Sequence, residues 1–216
     1  MPRSHGLYIS YCTDYPNQVH QLIVSVSKRV YVLKNRELKF QKKPVDINLD
    51  NFQKAERNLL IHYIIRDHFS NAFYGEIHEK EAPEDVRNFL YRAWSQKEDY
   101  PFCGIPDSMI VTKTVQRFAP EIVDLLSRLN VKIIDSTSGF QAGIRIIRTW
   151  EEELKFHYKM APELKTIEDV QFNIDRFCNY INNRSKRNKA SNITIWENDV
   201  KDLRLPKAED FLLRNE

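Results

Sequence analysis

Two runs of branched and aromatic residues, LLIHYII from Leu59 and AFYGEI from Ala72, flank the polar segment RDHFSN, and no other feature limits the chain as much. Short apolar runs joined by a polar turn read as neighbouring antiparallel strands. Such a pair needs a covering layer. In EAPEDVRNFLYRAW, Pro83 and the acids beside it suit a helix N-terminus, and Val86, Phe89, Leu90, Ala93 and Trp94 share one face. A brief strand at Met109–Val111 comes next, then a helix opened by Pro120 with Ile122, Leu125, Leu126 and Leu129 at helical spacing, then the buried strand VKII from Val131. A long helical pattern runs from near Ile144 through Trp150 and Leu154 to about Tyr158. A further helix starts at Thr166, where Thr-Ile-Glu-Asp resembles a capping box, and turns Val170, Ile174, Phe177 and Ile181 inward. Strands first, then alternating helix and strand, then helices, is the order of an α/β fold with a mixed sheet covered on both faces.

Composition narrows the chemistry. With 42% apolar and 29% charged residues in 216, the chain can bury a full-sized core as one domain with appendages. Five glycines argue against a Gly-rich nucleotide loop. A formal charge of +3 gives little dispersed attraction to nucleic acid, so any such binding must come from local patches. Cys12, Cys103 and Cys178 are odd in number and widely spaced, which fits a reducing, intracellular compartment rather than a disulfide framework or zinc ribbon. No apolar run approaches the length of a membrane span, and MPRSHGLYISY is neither a signal peptide nor a lipidation motif, so a soluble protein with no membrane partner is expected.

The N-terminal segment QVHQLIVSVSKRVYVLKNRELKF is ambiguous. Its branched residues favour a strand, while Val19, Leu22, Ile23, Val26 and Val30 also fit one helical face, and a helix is the expectation. The C-terminal LRLPKAEDFLLRNE reads as an extended segment with a short helix, or as a partner-binding element.

Taken together, the ordered motifs resemble the catalytic core of retroviral integrases and bacterial transposases, over roughly residues 45–183. Ile47-Asn48-Leu49-Asp50 resembles the first-strand motif that ends in a catalytic aspartate, Arg66-Asp67-His68-Phe69-Ser70 the hairpin turn, and Gly104-Ile105-Pro106 the entry to the fourth strand. Ser138-Gly139-Phe140-Gln141-Ala142-Gly143 is similar to the loop before the helix that carries the catalytic glutamate, and INNRSKRNKASNITIWEND to the basic region beyond the core. The resemblance implies an RNase H-like, mixed five-stranded sheet flanked by helices. Its domains would be an extension at 1–44, the core at 45–160, and a helical, basic extension at 161–216.

Such enzymes bring three carboxylates onto two divalent cations about 4 Å apart, and hard cations require oxygen ligands. Carried over by motif, the resemblance puts the triad on Asp50, Lys113 and Ile146, or on Arg145 in place of Ile146 if the register slips by one. One ligand of three remains, and a lysine ammonium has no lone pair to offer. Inactivity is therefore expected, with Asp50 and Lys113 facing each other as an ion pair and no cofactor; magnesium or manganese enters only if Asp107, Asp135, Glu151 or Glu152 substitutes. His5, Cys12 and His20 make a poor zinc site without a fourth ligand, and His62 and His68 read as packing and turn residues.

For nucleic acid, the densest basic run offers Arg184, Lys186, Arg187 and Lys189, and the helix after the loop offers Arg145 and Arg148. The leading expectation is a degenerate integrase- or transposase-like protein that binds DNA or assembles a transposition complex in a mobile element or a domesticated derivative. An active enzyme with substitute carboxylates and a protein-interaction scaffold are the alternatives. Trp94, Trp150 and the many tyrosines suggest more aromatic surface than one core absorbs, hence a homo-oligomer.

Overall fold

A computed structural model describes residues 12–80, 85–136, 145–146, 148–149, 152, 165–185 and 190–212. Its centre is a strand where a helix was expected. β1 (Val19–Val32) pairs antiparallel with β3 (Asn58–Asp67), from His20↔Asp67 to Val32↔Asn58, and parallel with β5 (Ser108–Thr112), from Val19↔Ser108 to Gln21↔Ile110. β4 (Phe73–Glu79) extends the sheet beyond β3, β6 (Lys132–Ser136) beyond β5, and β2 (Leu38–Phe40) pairs with the far end of β1. The order is β4-β3-β1-β5-β6 with β2 to one side, six strands among the described residues where five were expected. The boundary expected at residue 44 thus cuts off the middle strand of the sheet. Residues 41–51, expected to hold the first strand, are irregular and turn-forming.

The reason β1 is a strand lies in its alternation. His20, Leu22, Val24 and Val26 are buried on one face, while Gln21, Ile23 and Ser25 point to the other. On the His20 face packs α1 (Val86–Trp94), whose Phe89 ring lies 5.4 Å from Tyr63 and whose Trp94 indole donates to His20 Nδ1 at 3.1 Å. α2 (Lys113–Phe118) and α3 (Glu121–Arg128) connect β5 to β6. Trp94 is fully buried, so it supplies none of the aromatic surface on which a homo-oligomer was expected; Trp150 lies outside the described residues.

The opposite face carries α4 (Ile167–Asn183), which begins at Thr166 with the expected capping box. It also closes an exposed sheet edge. Gln171 Oε1 accepts from Ile77 N at 2.8 Å and its Nε2 donates to Gly75 O at 3.3 Å; one end further on, Asn182 Oδ1 accepts from Phe73 N at 3.2 Å while its Nδ2 donates to Phe73 O at 2.7 Å. Alternate residues of β4 thus find on α4 the partners that a further strand would have offered, which removes a template for edge-to-edge aggregation. Replacing Asn182 by alanine leaves the buried Phe73 N–H unmade, while Phe73 O keeps the Tyr100 hydroxyl as a donor. The expected loss is about 2 kcal/mol in a urea unfolding titration, and a loss below about 1 kcal/mol would show that water replaces the amide.

Beyond α4, α5 (Asn192–Asp199) and α6 (Ala208–Phe211) bring the chain back to the His20 side, with an extended stretch between them. Phe211 is buried against Tyr91 and Trp94, and Arg204 O accepts from Ile105 N at 2.7 Å. Gly104, at φ +96°, passes so near this stretch that a Cβ would come within 2.6 Å of both Asn17 Nδ2 and Leu203 Cδ1. No described helix is long and apolar enough to cross a membrane.

Candidate functional site

The segment Thr112-Lys113-Thr114 is the junction between β5 and α2. Thr112 caps the helix, its hydroxyl accepting from Val115 N at 3.2 Å, which leaves Lys113 as the first helical residue, exposed to solvent. Asp50 does not pair with it. Arg117, one turn along α2, donates to Asp50 Oδ1 at 2.6 Å, and Thr114 Oγ1 lies 3.5 Å from Oδ2. The expected Asp50–Lys113 ion pair is therefore replaced by Asp50–Arg117, because Asp50 sits on a loop over α2 and not on the strand beside β5. With side chains 55% and 69% exposed, this pair contributes at most about 1 kcal/mol.

The strand that does lie beside β5 is β1. Continuing its parallel register from Gln21↔Ile110 brings Leu22, Ile23 and Val24 level with Val111, Thr112 and Lys113. None of its 14 residues is acidic. The third position, Ile146, is helical and half-buried, with Arg145, Arg148 and Thr149 exposed nearby. Where the resemblance calls for three carboxylates, this chain presents an aliphatic strand, an ammonium and an isoleucine. These groups offer a divalent cation no oxygen, so they do not fit the magnesium site the fold implies.

The candidate substitutes do not converge either. Asp107 accepts from the Tyr15 hydroxyl at 2.9 Å, Asp135 accepts from Gln116 Nε2 at 2.8 Å, Glu152 is exposed, and Glu151 lies outside the described residues. An open groove of about 920 Å³ beside Asp50 also contains Asp85 and Glu121, but Asp85 caps α1 and grips Arg87, and Glu121 lies in the first turn of α3. Among the described residues no three His, Cys, Asp or Glu side chains are placed to hold a metal.

His20, one of the three residues of the poor zinc set, is fully buried with both ring nitrogens engaged: Nδ1 accepts from Trp94 and Nε2 lies 2.9 Å from Asn17 Oδ1. Burial draws its pKa down to about 3. Cys12 is exposed, and His5 lies outside the described residues. His62 is buried in β3, its pKa drawn down to about 4 by burial, and His68 comes just after that strand with Nδ1 3.1 Å from Thr13 Oγ1. Of the basic run, Arg184 is exposed at the end of α4, its guanidinium 5.9 Å from the Tyr180 ring; Lys186, Arg187 and Lys189 lie outside the described residues, as does the loop 138–143. A polar group that sequence reasoning passed over is Arg66. It is 5% exposed on β3 and donates to Gln21 and Asn71. Its place directly after the apolar run Leu59–Ile65 was the available signal.

Solved structures share this arrangement of strands and helices. The chain superposes with a TM-score of 0.57 on the simian T-cell lymphotropic virus intasome in complex with PP2A regulatory subunit B56 gamma, at 12% identity over 91% of this chain, and it spans 61% of the length of that chain. On the HTLV-2 integrase catalytic core domain in complex with magnesium, in its dimeric form, the TM-score is 0.53 at 11% identity, covering 84% of this chain and 97% of that one. The fold is that of an integrase catalytic core, RNase H-like. No family model matches the sequence, nor does any curated protein sequence.

Proposed function

We propose that this chain is a catalytically degenerate integrase- or transposase-like core that serves as a DNA-binding or assembly component of a mobile element or a domesticated derivative. One observation carries the reading: β1, the strand beside β5, has no acidic residue, and Lys113 and Ile146 occupy the other two positions to which the resemblance assigns carboxylates. Without oxygen ligands there is nothing to hold two cations, whereas a fold of this kind can still present cations to phosphate. Arg145, Arg148 and Arg184 are exposed, and Lys186, Arg187 and Lys189 continue the run in sequence.

The test has two arms. Incubation of supercoiled DNA with the protein and manganese should produce no nicking; cleavage dependent on the metal would establish the active enzyme instead. Affinity for duplex DNA should fall steeply with salt, and the double variant Arg184→Glu/Arg187→Glu should lose about two units of the log–log slope. Unchanged binding in that variant would remove the basic run from the reading, and no binding at low salt would leave the scaffold.

A further inference from the structure

On the α4 side of the sheet lies a pocket of about 190 Å³ with Arg66 and Arg145 in its wall, together with Asn71, Thr149 and Asn192, and with Phe177 on its apolar flank. None of the residues that line it is acidic. Arg66 is the buried member, and Arg145 is exposed at the rim. Among the described residues Arg66 donates only to the amide oxygens of Gln21, at 3.3 Å, and Asn71, and no carboxylate comes within ion-pair distance of it. Its chain neighbour Asp67 belongs to the opposite face of the sheet, where Oδ1 accepts from Asn17 N at 2.9 Å and Oδ2 from Ser70 N and Oγ at 2.6 and 2.7 Å. A guanidinium has five N–H donors and stays charged, so a nearly buried one held by two neutral oxygens retains donors and charge for an anion.

We propose that this pocket binds a phosphate group, with Arg66 as its floor and Arg145 as its closing side. Two guanidinium groups match the several oxygens of a phosphate, where a carboxylate would occupy only one of them, and Asn71, whose oxygen is taken by Arg66, keeps its amide N–H groups for a third side. Thr149 and Asn192 shape the wall and are already engaged, Thr149 with Arg145 O at 2.9 Å and Asn192 with Asn71 O at 3.2 Å. The Arg66 charge is felt nearby: after burial, it helps to push the His68 pKa down, and Asp67 on the other face acts on it in turn. Arg145 is the residue before Ile146, so the neighbourhood in which the fold would place a cation-binding carboxylate carries the chemistry of an anion site here. The phosphate has two possible sources with this one chemistry, the free ion and the terminal phosphate of a nucleic-acid strand.

The experiment titrates inorganic phosphate into the intact chain at constant ionic strength, with chloride as the exchanged anion, and follows the melting temperature and the heat of binding. The wild type should show a saturable rise in melting temperature. Arg145→Ala, at the exposed rim, should bind at least about tenfold more weakly, as the loss of one charge-assisted contact requires. Arg66→Gln should abolish saturation, and if that variant does not fold, Arg145→Ala carries the test. An equal rise with chloride alone, or full affinity in Arg145→Ala, overturns the proposal. A 5′-phosphorylated trinucleotide that displaces inorganic phosphate where its 5′-hydroxyl counterpart does not identifies a strand end as the source; displacement by neither identifies the free ion. Phosphate binding that survives Arg184→Glu/Arg187→Glu separates this pocket from the duplex-binding run, so either reading can fail alone.

Discussion

Between pH 7.5 and pH 4.5 the protein should lose about 5 kcal/mol of stability, most of it through two buried histidines. Burial draws His20 down to about 3 and His62 to about 4, from an ordinary value of 6.5. The native state therefore binds fewer protons than the unfolded chain. Stability is fully present above the unfolded value of 6.5 and is lost as the pH falls towards the two folded values. Near pH 5 two protons are taken up on unfolding, a slope of about 2.7 kcal/mol per pH unit.

The structure explains why His20 resists its proton. The Trp94 indole N–H can only donate, so His20 Nδ1 must keep its lone pair, and Nε2–H donates to Asn17. Asp67 Oδ1 is 3.9 Å from Nε2 and favours the imidazolium, but it is engaged by Asn17 N, and desolvation of a fully buried ring outweighs it. Burial also raises the Asp67 carboxyl above its usual value, which offsets part of the loss at the acid end of the window. Glu76 works the other way below pH 4.5. Burial alone would raise it, yet hydrogen bonds from Arg92, His78 and Tyr74 win and hold it at about 2, so its contribution disappears as it protonates. Urea unfolding at half-unit pH steps reads the slope, and His62→Gln should halve it near pH 5. A change under about 1 kcal/mol over the whole window would mean that both imidazoles take up protons without unfolding.

The difference between what sequence revealed and what it hid comes from where each signal lives. The β3–β4 hairpin, α1, α3 and the capped start of α4 were legible because local pattern and burial agree: Thr166 caps its own helix, and Leu125 and Leu126 follow Ile122 at the helical period. β1 was not. Its branched residues fit a helix stripe and a strand equally well, and only pairing on both sides decides between them. The first catalytic position was put on Asp50 because Ile47-Asn48-Leu49-Asp50 resembles a first-strand motif, but that stretch forms no strand. Lys113 does stand at the end of β5, but Asp50 is not beside it, since the loop that brings Asp50 to Arg117 has no local signature. The buried Arg66 pocket was invisible for a related reason: it assembles from β3, its turn, the helical residues near 146, α4 and the start of α5, which no sequence window spans.

Trp196→Ala should cost about 4 kcal/mol and lower the melting temperature by about 12 °C. The residue stands on α5, in a segment that sequence alone assigned to a basic extension, yet it is 4% exposed and its ring lies 6.1 Å from that of Phe102. Its Nε1 donates to Asn17 Oδ1 at 3.1 Å, the same oxygen that faces His20 Nε2. Asn17 in turn donates through Nδ2 to Cys103 O at 3.1 Å and through its backbone to Asp67, while holding a φ of +62°. One amide thus joins the entry to β1, the end of β3, the approach to β5 and the C-terminal helix, in a place without bulk solvent, where each unmade bond is costly. Truncation to alanine removes the indole from that junction and opens a cavity against Phe102. Trp196→Phe separates the two contributions: it keeps most of the packing and loses the donor, for about 1 kcal/mol. If alanine costs four times what phenylalanine does, the C-terminal segment is part of the core and the domain cannot end near residue 160. A loss below about 1 kcal/mol for alanine would make α5 an appendage held elsewhere, and would return the boundary to where the sequence pattern put it.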